Sequence, residues 1–154
     1  MTETEFWQRV DSCKERLWRL ARLWLDSDTA AVDVLDEAVL RAYIALPKLR
    51  HPEYFETWLT RILLNECSRE LRRRKREQAV ETLPEAAWEE PDHLPLRQAI
   101  QALPDKLRWV ILLRYFDGRT LEECAAILRI PRSTVHAREK KALKLLKLEL
   151  SEEA

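Results

Sequence analysis

The sequence predicts an all-α protein: two small helical domains joined by an acidic, proline-containing linker, the C-terminal one with a helix-turn-helix. Three observations predict it. Glycine occurs once in 154 residues, at Gly118, which leaves no material for tight hairpins or glycine-rich phosphate loops. Runs of β-branched residues are short, while apolar residues recur at helical spacing along most of the chain. The net charge of zero hides an alternation. Residues 61–76 hold seven Arg or Lys against Glu66 and Glu70, a net of +5. Residues 77–96 hold six acidic residues and no Lys or Arg, a net of −6, and residues 129–147 hold seven Arg or Lys against Glu139, a net of +6. Two basic patches separated by an acidic segment are more informative than the zero total: the charge is local.

Taken in order, Leu17, Leu20, Ala21, Trp24 and Leu25 form one amphipathic stripe, and Leu35, Ala38, Val39, Ala42 and Leu46 a second, with Asp26-Ser27-Asp28 between them as loop and cap. The segment from Pro47 to Pro52 interrupts the pattern. A third helix follows, with Phe55, Trp58, Leu59, Ile62 and Leu63 on one face, and runs into the basic stretch ELRRRKR. Residues 77–95, with Pro84, Pro91 and Pro95, carry no sustained period and read as the linker between domains at 1–76 and 96–154. Helical patterning returns at Leu96, Ile100 and Leu103, then at Leu107, Val110 and Ile111. Trp7, Trp18, Trp88 and Trp109 read as packing residues.

The last elements carry the strongest motif. Thr120 and Glu123 form a T-x-x-E capping box, and Leu121, Cys124, Ala125 and Leu128 make a short stripe. Ile130-Pro131 breaks it, because the residue before proline is pushed out of the α region. A basic helix follows, with Val135, Ala142, Leu145 and Leu146 inward and Arg138, Lys140, Lys141 and Lys144 outward. Helix, short turn and basic helix is the order of a helix-turn-helix. Ala125, Arg129 and Val135 stand at the spacing that motif needs for its small residue, its left-handed turn residue and its β-branched residue. An ordinary αα-hairpin is the alternative; capping box, small residue, turn proline and basic second helix together favour DNA. ELRRRKR alone reads equally as a solvated helix end complementing the dipole. Phe55 and Trp58 read as core, although aromatics beside a basic surface also stack on unpaired bases.

Other chemistry is poorly served. Cys13, Cys67 and Cys124 are scattered, without C-x-x-C, which suits a reducing cytoplasm. The N-terminus is acidic without an apolar core, and no 18-residue apolar run occurs, so a soluble, unprocessed cytoplasmic protein is expected. His51, His93 and His136 lie far apart and outside any metal-binding spacing. Cys67 and Cys124 read as small core residues, and Asp36-Glu37 as a surface or partner-facing pair. No enzyme, metal, cofactor or small-molecule substrate is expected.

Three stretches together resemble the extracytoplasmic-function (ECF) sigma factors of bacterial RNA polymerase, from about Leu17 to Leu150. The first is LWRLARLWLDSDTAAVDVLDEAVLRAYIAL, with Val32 and Asp36 where the family usually has Glu and Gln. The resemblance implies that Asp33, Asp36, Glu37, Leu40 and Arg41 meet the β′ clamp of core polymerase. The second, FETWLTRILLNECSRELRRRKR, looks like the helix that melts and reads the −10 element. That implies roles at the −10 strand for Arg50, His51, Tyr54, Trp58, Arg61, Asn65, Arg69, Arg72 and Arg73, the loop before the helix holding an extruded base. The third, from Ala102 to Leu143, resembles the −35-binding domain. It implies duplex contacts for Arg132, Ser133, Thr134, His136, Arg138, Lys140 and Lys141, with His136, Ala137 and Glu139 in place of the common Lys, Ser and Leu. The resemblance also implies contact with the β flap, an anti-sigma partner, membrane-bound in many cases, and an acidic linker lying in the polymerase's RNA path. A stand-alone helix-turn-helix regulator and a sigma-like decoy stay open as alternatives.

Overall fold

The computed structural model describes residues 1–78 and 94–153, and among them there is no strand. Residues 79–93, most of the expected linker with Trp88 and His93, lie outside the described residues. The linker's assigned ends, Glu77 and Pro95, fall inside helices. The chain divides into two compact units, one of residues 1–73 with 126–129 and one of residues 74–125 with 130–154.

In the first unit, α1 spans Glu3–Leu25, fourteen residues earlier than the stripe at Leu17 announces. Its start is a second T-x-x-E box: the Glu5 N–H donates to Thr2 Oγ1 (3.1 Å) and the Thr2 N–H to Glu5 Oε2 (3.2 Å). Phe6, Val10 and Cys13 extend the buried stripe of Leu17, Leu20, Ala21, Trp24 and Leu25. Trp7, expected to pack, is 44 % exposed, because it lies one position off that stripe. Asp26 ends α1 in the left-handed conformation at φ 55°, its N–H returning to the Arg22 carbonyl (2.8 Å). Ser27 then caps α2, Asp28–Ala45, by accepting from the Ala30 N–H (3.2 Å).

The buried face of α2 is Ala30, Ala31, Val34, Ala38 and Ala42. This differs from the expected stripe, since Leu35, Val39 and Leu46 are only half-buried. Four alanines let α2 lie close against α1, which turns the larger side chains to the flanks. Two single-turn 3₁₀ segments, Leu46–Lys48 and Pro52–Tyr54, lead into α3, Phe55–Gln78. Phe55, Leu59, Leu63, Leu64 and Cys67 bury its inner face, while Trp58 and Ile62 are half-buried.

The second unit holds α4 (Leu94–Ala102), α5 (Asp105–Ile111), α6 (Leu121–Leu128) and α7 (Arg132–Glu153), with α4 and α5 against α7. Ala99, Ile100, Leu103, Leu107, Val110, Ile111, Val135, Ala142 and Leu146 are buried, whereas Leu96, in the first turn of α4, is 41 % exposed. Arg108 is 0 % exposed. Its guanidinium donates to the carbonyls of Ile100 (3.2 Å), Gln101 (2.7 Å) and Leu103 (2.6 Å), closing the C-terminal end of α4, and to Asp105 (3.0 Å). The Ile100 carbonyl also accepts from the Leu103 N–H (3.1 Å), so side chain and backbone close the helix end together. Burial lowers the Arg108 pKa, and Asp105 opposes the shift.

A π-turn at Leu112–Phe116 carries α5 into the loop, where Gly118 takes φ 66°. The Arg119 side chain fixes that loop through Asp117 (3.0 Å) and Glu123 (2.9 Å). No helix among the described residues is long and apolar enough to cross a membrane.

Candidate nucleic-acid interface

The second basic patch is a continuous helix face. Thr120 and Glu123 form their box (3.1 and 3.2 Å) and start α6. Arg119 and the Thr120 backbone hold the Glu123 carboxyl below its ordinary pKa. Arg129 sits at φ 56°, the left-handed turn residue its spacing announces, and the Ile130 N–H reaches back to the Ala125 carbonyl (3.2 Å). The Pro131 carbonyl accepts from Thr134 and Val135 (3.0 and 3.2 Å), which opens α7.

Along α7, Ser133, His136, Ala137, Lys140 and Lys144 recur at the i, i+3, i+4 spacing of one face, and all are exposed. Lys141 and half-buried Thr134 border this face on one side and exposed Arg132 on the other. Arg132 pairs with Glu122 across the motif (2.9 Å). Arg138, expected outward, is half-buried on the flank towards Leu145. Glu139, the one acid of the patch, is turned inward at 7 % exposure, beside the Tyr115 hydroxyl (2.8 Å) and Arg114 (3.5 Å). The hydrogen bond to its carboxylate raises the Tyr115 pKa. The outward face of α7 is therefore small and polar over its first two turns and cationic over the next two.

The first basic patch behaves similarly. Trp58, Arg61, Asn65, Arg69, Arg72 and Arg76 recur at three and four residues on one side of α3, a stripe of about 27 Å at 1.5 Å per residue. Asn65, Arg69, Arg72 and Arg73 are exposed; Trp58 and Arg61 are half-buried. Arg69 pairs with Glu66 (3.2 Å) and Arg73 with Glu70 (2.6 Å). At the head of the stripe the 3₁₀ turn presents Arg50, His51 and Tyr54, all exposed, with the His51 and Tyr54 rings 6.1 Å apart.

On α2, Asp33, Asp36, Glu37, Leu40 and Arg41 share one exposed face, which Ile44, 70 % exposed, continues. Arg41 pairs with Glu37 (3.1 Å) and with Glu66 of α3 (2.7 Å), so Glu66, 7 % exposed, joins α2 and α3. A groove of about 540 Å³ between α1 and α2 lies beside this face, lined in part by Trp7, Leu35, Val39, Leu40 and Tyr43. Trp7 and Tyr43 stack there at 5.9 Å.

Sequence reasoning missed several positioning residues. Arg108 had a local signal, its i, i+3 relation to Asp105. Arg9 and Arg16 had none, because their partners lie more than forty residues away. Cys13, Cys67 and Cys124 are buried free thiols. Burial pushes the Cys67 thiol up strongly and that of Cys124 up to about 11, which fits packing. Among the described residues no group of His, Cys, Asp or Glu is placed to hold a metal ion.

Two sequence families match, described as "Sigma-70 region 2" over residues 9–77 and "Sigma-70, region 4" over residues 99–148. The ECF RNA polymerase sigma factor SigW of Bacillus subtilis (strain 168) is 31% identical over 149 residues, covering 84% of this chain and 80% of its own. A solved structure of CnrH in complex with the cytosolic domain of CnrY is 25% identical, with a TM-score of 0.75, covering 99% of this chain and 92% of that one. The sigma factor RpoE, in complex with the anti-sigma factor NepR from Bartonella quintana, shares the fold at 22% identity and a TM-score of 0.72, covering 96% of this chain and 97% of that one.

Proposed function

The chain belongs to the sigma-70 family as an ECF sigma factor, which directs transcription initiation, and from that premise we propose how its two units divide the work. Sigma factors generally contribute no chemistry of their own, and core RNA polymerase makes the RNA.

The second unit reads the −35 duplex with α7. Arg132, Arg138, Lys140 and Lys141 take phosphates, while Ser133, Thr134 and His136 stand at base edges; phosphate contacts position and base contacts specify. The observation that carries this reading is the outward face of α7: small residues at the tip admit close approach, and lysines follow where the groove walls would lie. Arg138 serves from the flank. Glu139, being inward, costs the face nothing.

The first unit handles the −10 element. The stripe from Trp58 to Arg73 follows the strand, with Asn65 at its centre, and Arg50, His51 and Tyr54 take an unstacked base at its head. Base stacking is worth ~1–3 kcal/mol per base, which offsets part of the cost of opening the duplex. The exposed α2 face, Asp33, Asp36, Glu37, Leu40 and Arg41, meets the β′ clamp, and the second unit meets the β flap. An anti-sigma partner, membrane-bound in some systems, fits the solved neighbours, two of which are held by such partners or by a partner's cytosolic domain. The site of action is the cytoplasm. A stand-alone helix-turn-helix regulator has no use for the first unit and is not favoured.

The test is transcription by purified core polymerase on fragmented genomic DNA, with and without the protein, mapping transcript 5′ ends. New starts that share two upstream elements at fixed spacing are expected. Binding to core without new starts would make the chain a decoy.

A further inference from the structure

We infer that Arg9, on α1, is a positioning residue for base capture at the −10 element; this rests on the reading of residues 50–54 given above. The turn that presents Arg50, His51 and Tyr54 has little structure of its own. It is a single 3₁₀ turn, Pro52–Tyr54, without a side-chain cap, held locally by the Tyr54 N–H on the His51 carbonyl (2.9 Å) and the Phe55 N–H on the Pro52 carbonyl. The second lone pair of that Pro52 carbonyl accepts from Arg9 Nη1, which reaches it from 43 residues away.

The same guanidinium lies over the Phe55 ring, 5.9 Å from its centroid. Phe55 is 2 % exposed and meets the fully buried Phe6 edge to face at 5.6 Å. Arg9 thus ties the exposed turn to the rigid part of the unit at two points. Two turns further along the same face of α1, Arg16 donates to Thr60 (3.0 Å) and pairs with Glu56 (2.9 Å), fixing the first turns of α3. α1 is a splint: Arg16 holds the helix and Arg9 holds the loop before it. The Tyr54 ring, 60 % exposed, lies in the turn that Arg9 holds. Without Arg9 the turn keeps its two local backbone bonds and exposed side-chain contacts of His51 with Glu53 (3.5 Å) and Tyr54, and a captured base must order the loop as it binds, which weakens capture.

The experiment uses holoenzyme, the full chain with core polymerase. The probe is a fluorescent single-stranded oligonucleotide carrying the non-template −10 element of a promoter the wild type uses, and the same strand with one base removed at each position in turn. Wild type is expected to lose affinity at the captured position, and Tyr54→Ala to abolish that loss. Arg9→Ala should weaken the intact strand roughly ten-fold, the equivalent of one charged hydrogen bond. It should change binding to the abasic strand by less than about two-fold, as a cycle demands when the residue acts through that base. Affinity for core should not move.

Equal weakening of both strands would make Arg9 merely structural and overturn the inference. So would no weakening of either while Tyr54→Ala still counts. A wild type indifferent to base removal everywhere would instead overturn the capture reading itself, and this inference with it. If Arg9→Ala loosens the unit, seen as alkylation of the buried Cys67, Arg9→Lys carries the same test. It keeps the stem and one donor, and the same pattern at smaller size is expected.

Discussion

Replacing Arg108 with alanine should unfold the second unit or bring it to the edge of unfolding. The guanidinium is fully buried, gives three bonds to carbonyls at the end of α4 and pairs with Asp105. Truncation removes four charge-assisted hydrogen bonds at once, and at about 1.5–3 kcal/mol for a hydrogen bond to a charged group the loss is at least about 3 kcal/mol. Residues 94–153, at about 0.05–0.15 kcal/mol per residue, hold only ~3–9 kcal/mol, so the loss takes most of it. Arg108→Lys should be nearly as damaging, because an ammonium cannot span four acceptors. The thiols provide the assay. Cys124 is buried in this unit and its pKa is pushed up to about 11, so it alkylates only from an opened state, while Cys13 and Cys67 report on the first unit. At ten-fold per 1.4 kcal/mol, Arg108→Ala should speed Cys124 labelling by at least about a hundred-fold, with Cys13 and Cys67 unchanged. Acceleration below about three-fold, with an unaltered thermal melt, would refute the capping role.

Three further outcomes are expected. Arg129→Gly should raise the melting temperature of the second unit: a non-glycine left-handed residue costs about 1–2 kcal/mol, and glycine's extra unfolded-state entropy returns about half of that. An unchanged or lower melting temperature would contradict the Arg129 conformation. Lys141→Ala should weaken holoenzyme binding to a −35 duplex and make the plot of log K against log salt shallower by about one ion; an unchanged slope would remove Lys141 from the phosphate contacts. Glu123 has a depressed carboxyl pKa when folded, so its contribution is complete above the ordinary carboxylate value of about 4.3 and is lost as pH falls through the lower folded value. Glu123→Gln should therefore flatten the acid limb of the stability profile, measured by urea unfolding as pH falls below the ordinary carboxylate value of about 4.3.

Much of the fold was legible because it is local. The Leu17–Leu25 stripe is buried throughout, the Thr120–Glu123 box closes as its spacing says, and Arg129 takes the left-handed turn. The Thr2–Glu5 box was equally legible, but the polar residues between Phe6, Val10 and Cys13 masked the start of α1. The face of α2 was misjudged because size decides it: alanines turn inward where helices approach closely, and periodicity counts Leu35 and Val39 as the better core. The candidate faces on α2, α3 and α7 follow from the residues that resemblance singled out. What holds them in place did not follow. A guanidinium that closes another helix, or an arginine that reaches a carbonyl 43 residues away, leaves no periodic trace.

The buried carboxylate of Glu66 serves two arginines, Arg41 on the α2 face proposed to meet polymerase and Arg69 on the α3 face proposed to meet DNA. One anion shared by two outward-facing cations is an energetic coupling between those surfaces. A clamp group that draws Arg41 away leaves Glu66 to Arg69 alone and tightens its hold, so Arg69 is given up less readily to a phosphate. Linkage makes the effect reciprocal: DNA engaging Arg69 must bind Arg41 more firmly to the protein by the same free energy. Through this one side chain, the two surfaces are set in mild opposition rather than left independent.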